Sequence, residues 1–340
     1  MKKVLFRIDG NRRLGMGHLA RCIELANYFK KYGITSSFLF KENQLMKKII
    51  GEKFLFFTLP ILTSNKKELM ETKKIIKNEE IDCIVIDQPN HKSKEFFNQI
   101  NKLCKTIVID NIDQTSFNAN MLIYPWSDLE KFKKKLKPEF SIKLLSGSKY
   151  MMLGKHKKNT SIKRKENRII ISMGGADKLQ FTEKIVKLFK KSKYKFDLVL
   201  VLGSFFKDSE KINKIIKNDN RFTIIENNEN ILTEMEKSTI GIFTFGLTAY
   251  ESLHVGLPSI VFSHSKLNDT YGKILDSYNC VNYLGYYKNF DFKQIPLISK
   301  NLIQNNKLRK KFNEQGTKMI DGKGIDRIIQ KIIKLVDEKD

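Results

Sequence analysis

Short apolar runs alternate with amphipathic stretches along this chain, and the alternation predicts strands that are each followed by a helix. The first apolar run covers residues 3–8 and leads into the glycine-containing segment 9–17. From His18 onward, apolar residues recur at steps of three and four until Gly33, and the next apolar run covers residues 37–40. The chain is therefore predicted to open with a strand, a glycine loop, a helix and a second strand.

Three further apolar runs follow, at residues 81–86, 106–109 and 121–124. Asp87 comes directly after the first of these runs and Asp110 directly after the second. Because open α/β sheets bind ligands outside the carboxyl ends of their strands, both carboxylates are predicted to lie at the ligand-binding edge.

The polar and basic stretch 155–167 carries no apolar period, and we interpret it as a linker. A second series of strands is predicted after it, at residues 168–173, 196–202, 222–225, 240–243 and 259–262. Two such series predict an α/β fold with two doubly wound parallel sheets, which describes the GT-B architecture of two Rossmann-like domains facing a cleft. The predicted parts are an N-terminal domain at 1–154, the linker 155–167, a C-terminal domain at 168–320 and a C-terminal helix within 321–340.

The charge of the chain is strongly positive, with 63 basic residues against 37 acidic ones and a net charge of +26. Only nine of the basic residues are arginine, the residue favoured for bidentate contacts with phosphates and bases, and the lysines are spread along the whole chain. We therefore do not expect nucleic acid as the partner, although a positive surface attracts an anionic substrate or an anionic membrane face.

The sequence predicts a cytoplasmic protein whose contact with a membrane is at most peripheral. No apolar run approaches the roughly 18 residues of a membrane-spanning helix, and Arg7 and Asp9 interrupt the apolar start too early for an export signal. The four cysteines lie far apart, which fits a reducing compartment, and no metal-ligand spacing is present.

The segment Gly15-Met16-Gly17-His18 is the first candidate for chemistry. Glycines between a strand and a helix let the backbone approach a ligand, and a helix N-terminus favours negative charge. His18 would stand at that N-terminus as a group suited to proton transfer near neutral pH. The alternative is a tight turn whose histidine caps the helix.

Two further segments are candidates for binding phosphate. Gly174 and Gly175 follow a predicted strand and can form a nest for phosphate oxygens, while Asp177 can cap the next helix; a structural turn is the alternative. In residues 244–251, hydroxyls and amides converge on a helix N-terminus where a diphosphate can dock. Glu251 lies one turn inside that helix and can accept both hydroxyls of a ribose, or it is a solvated helix residue.

These segments together resemble one family. Residues 6–9 and 14–18, with Arg21, resemble the opening of the UDP-sugar hydrolases of pseudaminic acid biosynthesis, which cleave a UDP-linked diacetamido-trideoxy-altropyranose, and of the related spore-coat polysaccharide proteins. Residues 171–177 and 249–259 are similar to later signatures of the same family. The resemblance spans nearly the whole chain.

The resemblance implies a UDP-sugar substrate, no cofactor and no metal ion. His18 would be the general base that activates water for attack on the anomeric carbon, and Asp9 would orient the sugar or His18. Glu251 would bind the ribose, and Gly174 and Gly175 would leave room for phosphate. The other expected substrate-binding residues are Arg7, Gly15, Gly17, Arg21, Asp87, Asp177, Gly246, Thr248 and Asn268.

The sequence departs from the family at two places that bear on the sugar. Asp87-Gln88-Pro89 stands where members often have Asp-His-Tyr, and Asn268 alone stands for an Asn-Gln pair. A related acylated amino sugar is therefore also compatible with the chain. The alternatives are a GT-B glycosyltransferase that uses a UDP-sugar for surface polysaccharide, and a non-catalytic module that binds a nucleotide sugar or nucleic acid.

Overall fold

The computed structural model describes residues 2–9, 17–88, 92–110, 118–129, 142–154, 164–226 and 231–338. The chain forms two compact units, one made of Met1–Gly154 with Gly322–Asp340 and the other of Lys155–Asp321. The predicted site residue Gly15 lies outside the described residues. Within the described ranges, no helix is both long and apolar enough to cross a membrane.

The first unit contains a sheet of seven strands that pair in parallel in the order β3-β2-β1-β4-β5-β6-β7. The short apolar runs form these strands because both faces of a parallel sheet are covered by helices and must be apolar. The strands are β1 (Lys3–Ile8), β2 (Thr35–Lys41), β3 (Leu55–Leu59), β4 (Cys83–Asp87), β5 (Lys105–Ile109), β6 (Met121–Tyr124) and β7 (Lys143–Ser146).

Five α-helices are described in this unit. They are α1 (Gly17–Lys31), α2 (Gln44–Gly51), α3 (Asn65–Asn78), α4 (Lys94–Ile100) and, from the end of the chain, α12 (Gly324–Asp337). Ile328 and Ile332 of α12 are buried in the same core as Phe29 of α1 and Phe6 of β1. The C-terminal helix, which the sequence marked only as a separate final segment, thus completes the core of the first unit.

Gly324 shows how closely α12 approaches the rest of this unit. A Cβ atom added at Gly324 would lie 2.1 Å from the carbonyl oxygen of Met151, a distance that no side chain tolerates. Arg327 on the same helix donates a hydrogen bond to the carbonyl of Lys149 at 3.0 Å. Glycine is therefore needed where α12 begins, because the backbone of residues 149–151 passes against it.

The second unit contains a parallel sheet of six strands in the order β10-β9-β8-β11-β12-β13. Its strands are β8 (Arg168–Ser172), β9 (Asp197–Leu202), β10 (Phe222–Glu226), β11 (Ile240–Thr244), β12 (Ser259–Ser263) and β13 (Asn282–Tyr286). Its helices are α5 (Phe181–Lys191), α6 (Ser209–Ile216), α7 (Ile231–Lys237), α8 (Leu247–His254), α9 (Lys266–Ser277), α10 (Ile295–Gln304) and α11 (Asn306–Met319). The prediction of two doubly wound parallel sheets is confirmed.

Each sheet has one place where the direction of winding reverses. In the first sheet β1 lies beside β4, while β2 and β5 lie on their outer sides; in the second sheet β8 and β11 have the same relation. The loops that leave such a strand pair diverge to opposite faces and open a crevice at the carboxyl edge, where α/β sheets bind their ligands. The fold thus marks one such edge position in each unit.

Candidate functional site

Three carboxylates stand at the carboxyl edge of the first sheet. Asp87 is the last residue of β4 and pairs in register with Ile8 of β1, while Asp9 and Asp110 each follow the last residue of a strand. They therefore lie at the carboxyl ends of β1, β4 and β5, with β4 between the other two strands. The sequence placed Asp87 and Asp110 at this edge, and the structure has them there.

His18 and Arg21 reach Asp87 from the first turns of α1. The Nδ1 atom of His18 lies 2.6 Å from Oδ1 of Asp87. The guanidinium of Arg21 donates from Nε to Oδ2 of Asp87 at 2.6 Å and from Nη2 to Oδ1 at 2.5 Å. Residues three apart on a helix share one face, so His18 and Arg21 point together toward the end of β4.

The carboxylate of Asp87 selects the tautomer of His18. Nδ1 of His18 lies 2.6 Å from the Asp87 oxygen and 2.9 Å from Nη2 of Arg21. An anionic oxygen at the shorter distance favours a proton on Nδ1, which donates to it. The lone pair of the neutral imidazole is then on Nε2, and the side chain of His18 keeps 20 % of its surface exposed. This ring can accept a proton at Nε2.

The environment of Asp87 keeps it ionised. Its side chain is completely buried, and burial by itself raises the pKa of a carboxyl group. The charge of Arg21 and the hydrogen bonds from Arg21 and His18 overcome this effect and hold the pKa of Asp87 well below its ordinary value. Burial also acts on Arg21, but Asp87 and Asp110 raise the pKa of its guanidinium above the ordinary value.

Asp110 and Trp126 extend this cluster. Asp110 accepts a hydrogen bond from Nη1 of Arg21 at 3.0 Å and another from the indole nitrogen of Trp126. Burial raises the pKa of Asp110, against the charge of Arg21. Asp110 also has a φ of 61°, in the left-handed region that non-glycine residues seldom occupy. Trp126, the single tryptophan of the chain, was not predicted; its place two residues beyond β6 was the available signal.

Asp9 and Arg7 occupy a neighbouring network and not the one around His18. Both oxygens of Asp9 accept from the guanidinium of Arg7, at 2.8 and 3.1 Å, and Asp9 also accepts from Gln88 and from the amide of Lys41. Arg7 also donates from Nε to Glu68 at 2.7 Å. Of the two roles expected of Asp9, the contact with the His18 ring is made by Asp87 instead; orienting the sugar stays a prediction for Asp9.

Arg7 was also expected to bind substrate, and in this structure its guanidinium is paired with Asp9 and Glu68. Its side chain has no exposed surface and its hydrogen bonds go to protein atoms. Arg7 therefore holds Asp9 in place, and its contact with a substrate stays a prediction. Gly17, in contrast, is exposed as the first residue of α1.

In the second unit, the glycines after β8 form a turn at the winding reversal. Gly174 has a φ of 78°, which glycine adopts without strain. A Cβ on Gly203, at the end of β9, would meet the carbonyl oxygen of Gly174 and Cα of Gly175, each at 2.5 Å. Among the described atoms, a Cβ on Gly174 or Gly246 would meet nothing within 4 Å. Open space therefore adjoins both loops.

Asp177 caps the helix that follows this turn. Its two carboxylate oxygens accept from the amides of Phe181 at 2.9 Å and Thr182 at 2.7 Å. Burial raises the pKa of Asp177, and the hydrogen bonds from these residues oppose the rise. The capping role considered for Asp177 is what the structure shows; its contact with a substrate stays a prediction.

Glu251 and Asn268 lie near the loop after β11. Burial raises the pKa of Glu251 to about 7, although a hydrogen bond from Thr248 opposes the rise. Asn268, in the first turn of α9, donates to the carbonyl of Phe245 at 3.3 Å and lies 3.4 Å from Nδ1 of His264. Gly246 is the residue just before α8. The structure therefore brings Gly246, Thr248, Glu251 and Asn268 together at the carboxyl edge of the second sheet.

No known protein-family profile matches the chain. An uncharacterized protein of Methanocaldococcus jannaschii is 26 % identical over 280 residues, which cover 78 % of this chain and 56 % of that protein. The chain thus spans little more than half the length of this relative. The spore coat polysaccharide biosynthesis protein SpsG of Bacillus subtilis is 20 % identical over 330 residues, which cover 94 % of each chain.

Solved structures resemble the chain over its whole length. A UDP-glucosyltransferase from Polygonum tinctorium has a TM-score of 0.73 at 11 % identity and covers 100 % of both chains. MurG of Acinetobacter baumannii has a TM-score of 0.69 at 13 % identity, covering 98 % of this chain and 100 % of its own. A UDP-N-acetylglucosamine 2-epimerase has a TM-score of 0.64 at 14 % identity, covering 98 % and 96 %. At these low identities the structural likeness shows the fold alone, which is that of GT-B enzymes. The reaction has to be argued from the residues of the site.

Proposed function

We propose that this protein binds a UDP-sugar and hydrolyses it to UDP and the free sugar, with His18 as the general base. The observation that carries the proposal is the His18–Asp87 pair, in which a buried anionic carboxylate lies 2.6 Å from Nδ1 while the ring remains partly exposed at the edge where α/β sheets bind ligands. The pair matches a base held by an orienting carboxylate.

The reaction would proceed by attack of water on the anomeric carbon. Nε2 of His18 takes a proton from the water, and the oxygen forms a bond to that carbon. The bond between the anomeric carbon and the oxygen of the diphosphate breaks, and its electron pair leaves with UDP. Asp87 stabilises the imidazolium that forms, because its own pKa is low and it remains an anion throughout.

The second unit would hold the UDP. The turn at Gly174 and the loop at Gly246 have open space beside them for phosphate oxygens, and the N-terminus of α8 favours their charge. Glu251 would accept the ribose hydroxyls. The names of the relatives support the substrate class: one is a spore coat polysaccharide protein and another a UDP-glucosyltransferase. An acylated amino sugar, as in pseudaminic-acid-type or related surface glycans, is the substrate that the motif resemblance favours.

The test is turnover of UDP-linked acylated amino sugars in heavy-oxygen water, with no acceptor added. We expect release of UDP and incorporation of the label into the free sugar, because the water attacks carbon. Label in the β-phosphate of UDP would mean attack on phosphorus and would remove the proposed role of His18. Absence of turnover without an acceptor, followed by turnover when a glycan acceptor is supplied, would identify a transferase.

Replacing the base tests the role of His18 directly. His18→Gln should lower kcat by roughly 10²–10⁴, the range for loss of a general base, while UDP binding stays unchanged. Tyr32→Phe, an exposed change just beyond the other end of α1, is the matched control and should turn over normally. Undiminished kcat in His18→Gln would exclude His18 from the chemistry.

One observation favours the glycosyltransferase as the second candidate. Ile61 and Leu62 follow β3 at the carboxyl edge of the first sheet, and 65 % and 96 % of their surface is exposed. An apolar tip at this edge suits a lipid-linked acceptor or a membrane surface. The acceptor experiment above separates the two candidates.

A further inference from the structure

A cavity of about 580 Å³ opens at the amino edge of the second sheet. Three of its lining residues, Asn167, Thr239 and Pro258, directly precede β8, β11 and β12. The end of α10 and the start of α11 close its other side. Because parallel strands have all their carboxyl ends at the opposite edge, this cavity is a separate place from the loops proposed to bind UDP.

Two arginines in this cavity are held by carbonyl oxygens. Arg164 donates from Nη2 to the carbonyls of Gly256 at 2.7 Å and Val255 at 3.2 Å. Arg309 donates from Nη1 to the carbonyl of Leu302 at 3.2 Å. These neutral acceptors fix the two guanidinium groups in position.

The positive charge of Arg309 acts on Arg164. Burial lowers the pKa of Arg164; Glu236 opposes this effect, and the positive charge of Arg309 adds to it. Burial lowers the pKa of Arg309 as well. Among the described residues, neither guanidinium has a carboxylate within ion-pair distance. An anion bound by both guanidinium groups would reduce the repulsion between them.

The rest of the lining suits a ligand that carries hydroxyl groups next to its anionic group. Lys310 adds a third positive charge, and Glu166 is the one carboxylate among the lining residues. Four of the remaining lining residues carry amide side chains, and amides hydrogen-bond hydroxyl groups as donor and as acceptor. These are Asn167, Gln304, Asn306 and Asn313. A volume of about 580 Å³ is within the usual range for small-molecule sites.

We propose that this cavity, between Arg164, Arg309 and the start of α11, binds the phosphate of a sugar phosphate. The two guanidinium groups take the phosphate oxygens, which suit their planar fork of donors, and the amides take the hydroxyl groups. The site is independent of the reaction proposed above and holds whether or not the protein hydrolyses UDP-sugars.

The test is equilibrium dialysis of the full chain against labelled glucose 6-phosphate. We expect saturable binding that weakens at least about tenfold in Arg164→Gln and in Arg309→Gln, because each change removes a charged donor. Glu166→Gln should bind more tightly, because it removes the carboxylate that faces the anion. Lys307→Gln is the matched control: it removes a positive charge from the first turn of α11 without lining the cavity.

The source of the phosphate is decided by three further probes. Glucose should not bind, and inorganic phosphate should compete more weakly than glucose 6-phosphate; equal competition would overturn the sugar part of the proposal. An RNA oligonucleotide that binds in an Arg164- and Arg309-dependent manner would replace the small molecule with nucleic acid. Equal binding of glucose 6-phosphate by all variants would overturn the site. UDP affinity of the variants should match that of the parent, which separates this result from the proposed hydrolysis.

Discussion

At the residue scale, the chemistry depends on a contact between two side chains that are distant in the chain. His18 could be singled out from the sequence because it follows glycines at a predicted helix start. Asp87 was named as well, but its pairing with His18 depends on the register that places Ile8 beside Asp87. Nothing in the local pattern gives that register. Trp126 escaped prediction for the same reason, since its link to Asp110 joins two loops.

Replacing Asp87 by asparagine tests the tautomer. Asp87→Asn offers Nδ1 an amide that can donate as well as accept, so the proton can move to Nε2 and the base is lost. We expect kcat to fall by roughly 10²–10⁴ with UDP affinity retained. The measurement is steady-state kinetics on the variant, after circular dichroism has shown that the variant is folded. Glu42→Gln, an exposed carboxylate beyond β2, should leave kcat unchanged. An Asp87→Asn enzyme with normal kcat would show that His18 needs no orienting anion.

Glu251 gives the protein a pH-dependent stability. Its pKa is raised from 4.5 to about 7 in the folded state, so the folded chain binds more protons than the unfolded chain between those values. The contribution to stability is complete below pH 4.5 and is lost as the pH rises through 7. Glu251→Gln should therefore be more stable than the parent at pH 8, by up to about 3 kcal/mol, with little gain at pH 4.5.

Urea unfolding of Glu251→Gln and the parent at both pH values is the measurement. Glu314→Gln, a change on exposed helix surface, should follow the parent at each pH. Identical pH dependence for Glu251→Gln and the parent would contradict the burial-induced pKa.

At the element scale, the sequence predicted the inner strands and the edge strand β10, and missed the edge strands β3, β7 and β13. β4, β5 and β8 each contain a short uninterrupted apolar run, and β1 is apolar except for Lys3 and Arg7, because both faces of these strands are covered. β7 and β13 were not assigned because they hold few consecutive apolar residues. The apolar run 54–57 that enters β3 was not assigned because periodicity alone does not separate a short buried strand from a helix segment. The helix α12 was found, but its partner was not, because a helix pattern shows which face is apolar and not what covers it.

Truncating a core side chain of α12 should destabilise the first unit. Ile328 is completely buried in the core shared with α1 and β1, so Ile328→Ala should cost about 2–5 kcal/mol of unfolding free energy. Hydrogen exchange followed by mass spectrometry should show faster exchange in peptides from residues 3–109, with peptides from residues 168–320 unchanged. Lys331→Ala, an exposed change on the same helix, is the control. Faster exchange spread equally over both units would contradict the assignment of α12 to the first.

At the scale of the whole molecule, pattern alone was enough to give two parallel α/β sheets, and the whole-chain likeness to GT-B enzymes agrees with it. The reaction is not fixed at this scale, because structures of similar TM-score include a glucosyltransferase and an epimerase. The net charge of +26 does not by itself indicate a function either. Its local consequence became visible only where the fold gathers arginines in one cavity of the second unit.

The place of α12 in the chain determines the order in which the two units can complete their folding during translation. Lys155–Asp321 is contiguous, so the second unit is available for folding as soon as that stretch has emerged. The first unit begins earlier but lacks Ile328 and Ile332 until α12 has been synthesised. During translation, the core surface that α12 covers therefore stays exposed while the second unit folds. In a nascent chain arrested shortly before residue 324, we expect the second unit to be folded and the core of the first unit to be incomplete.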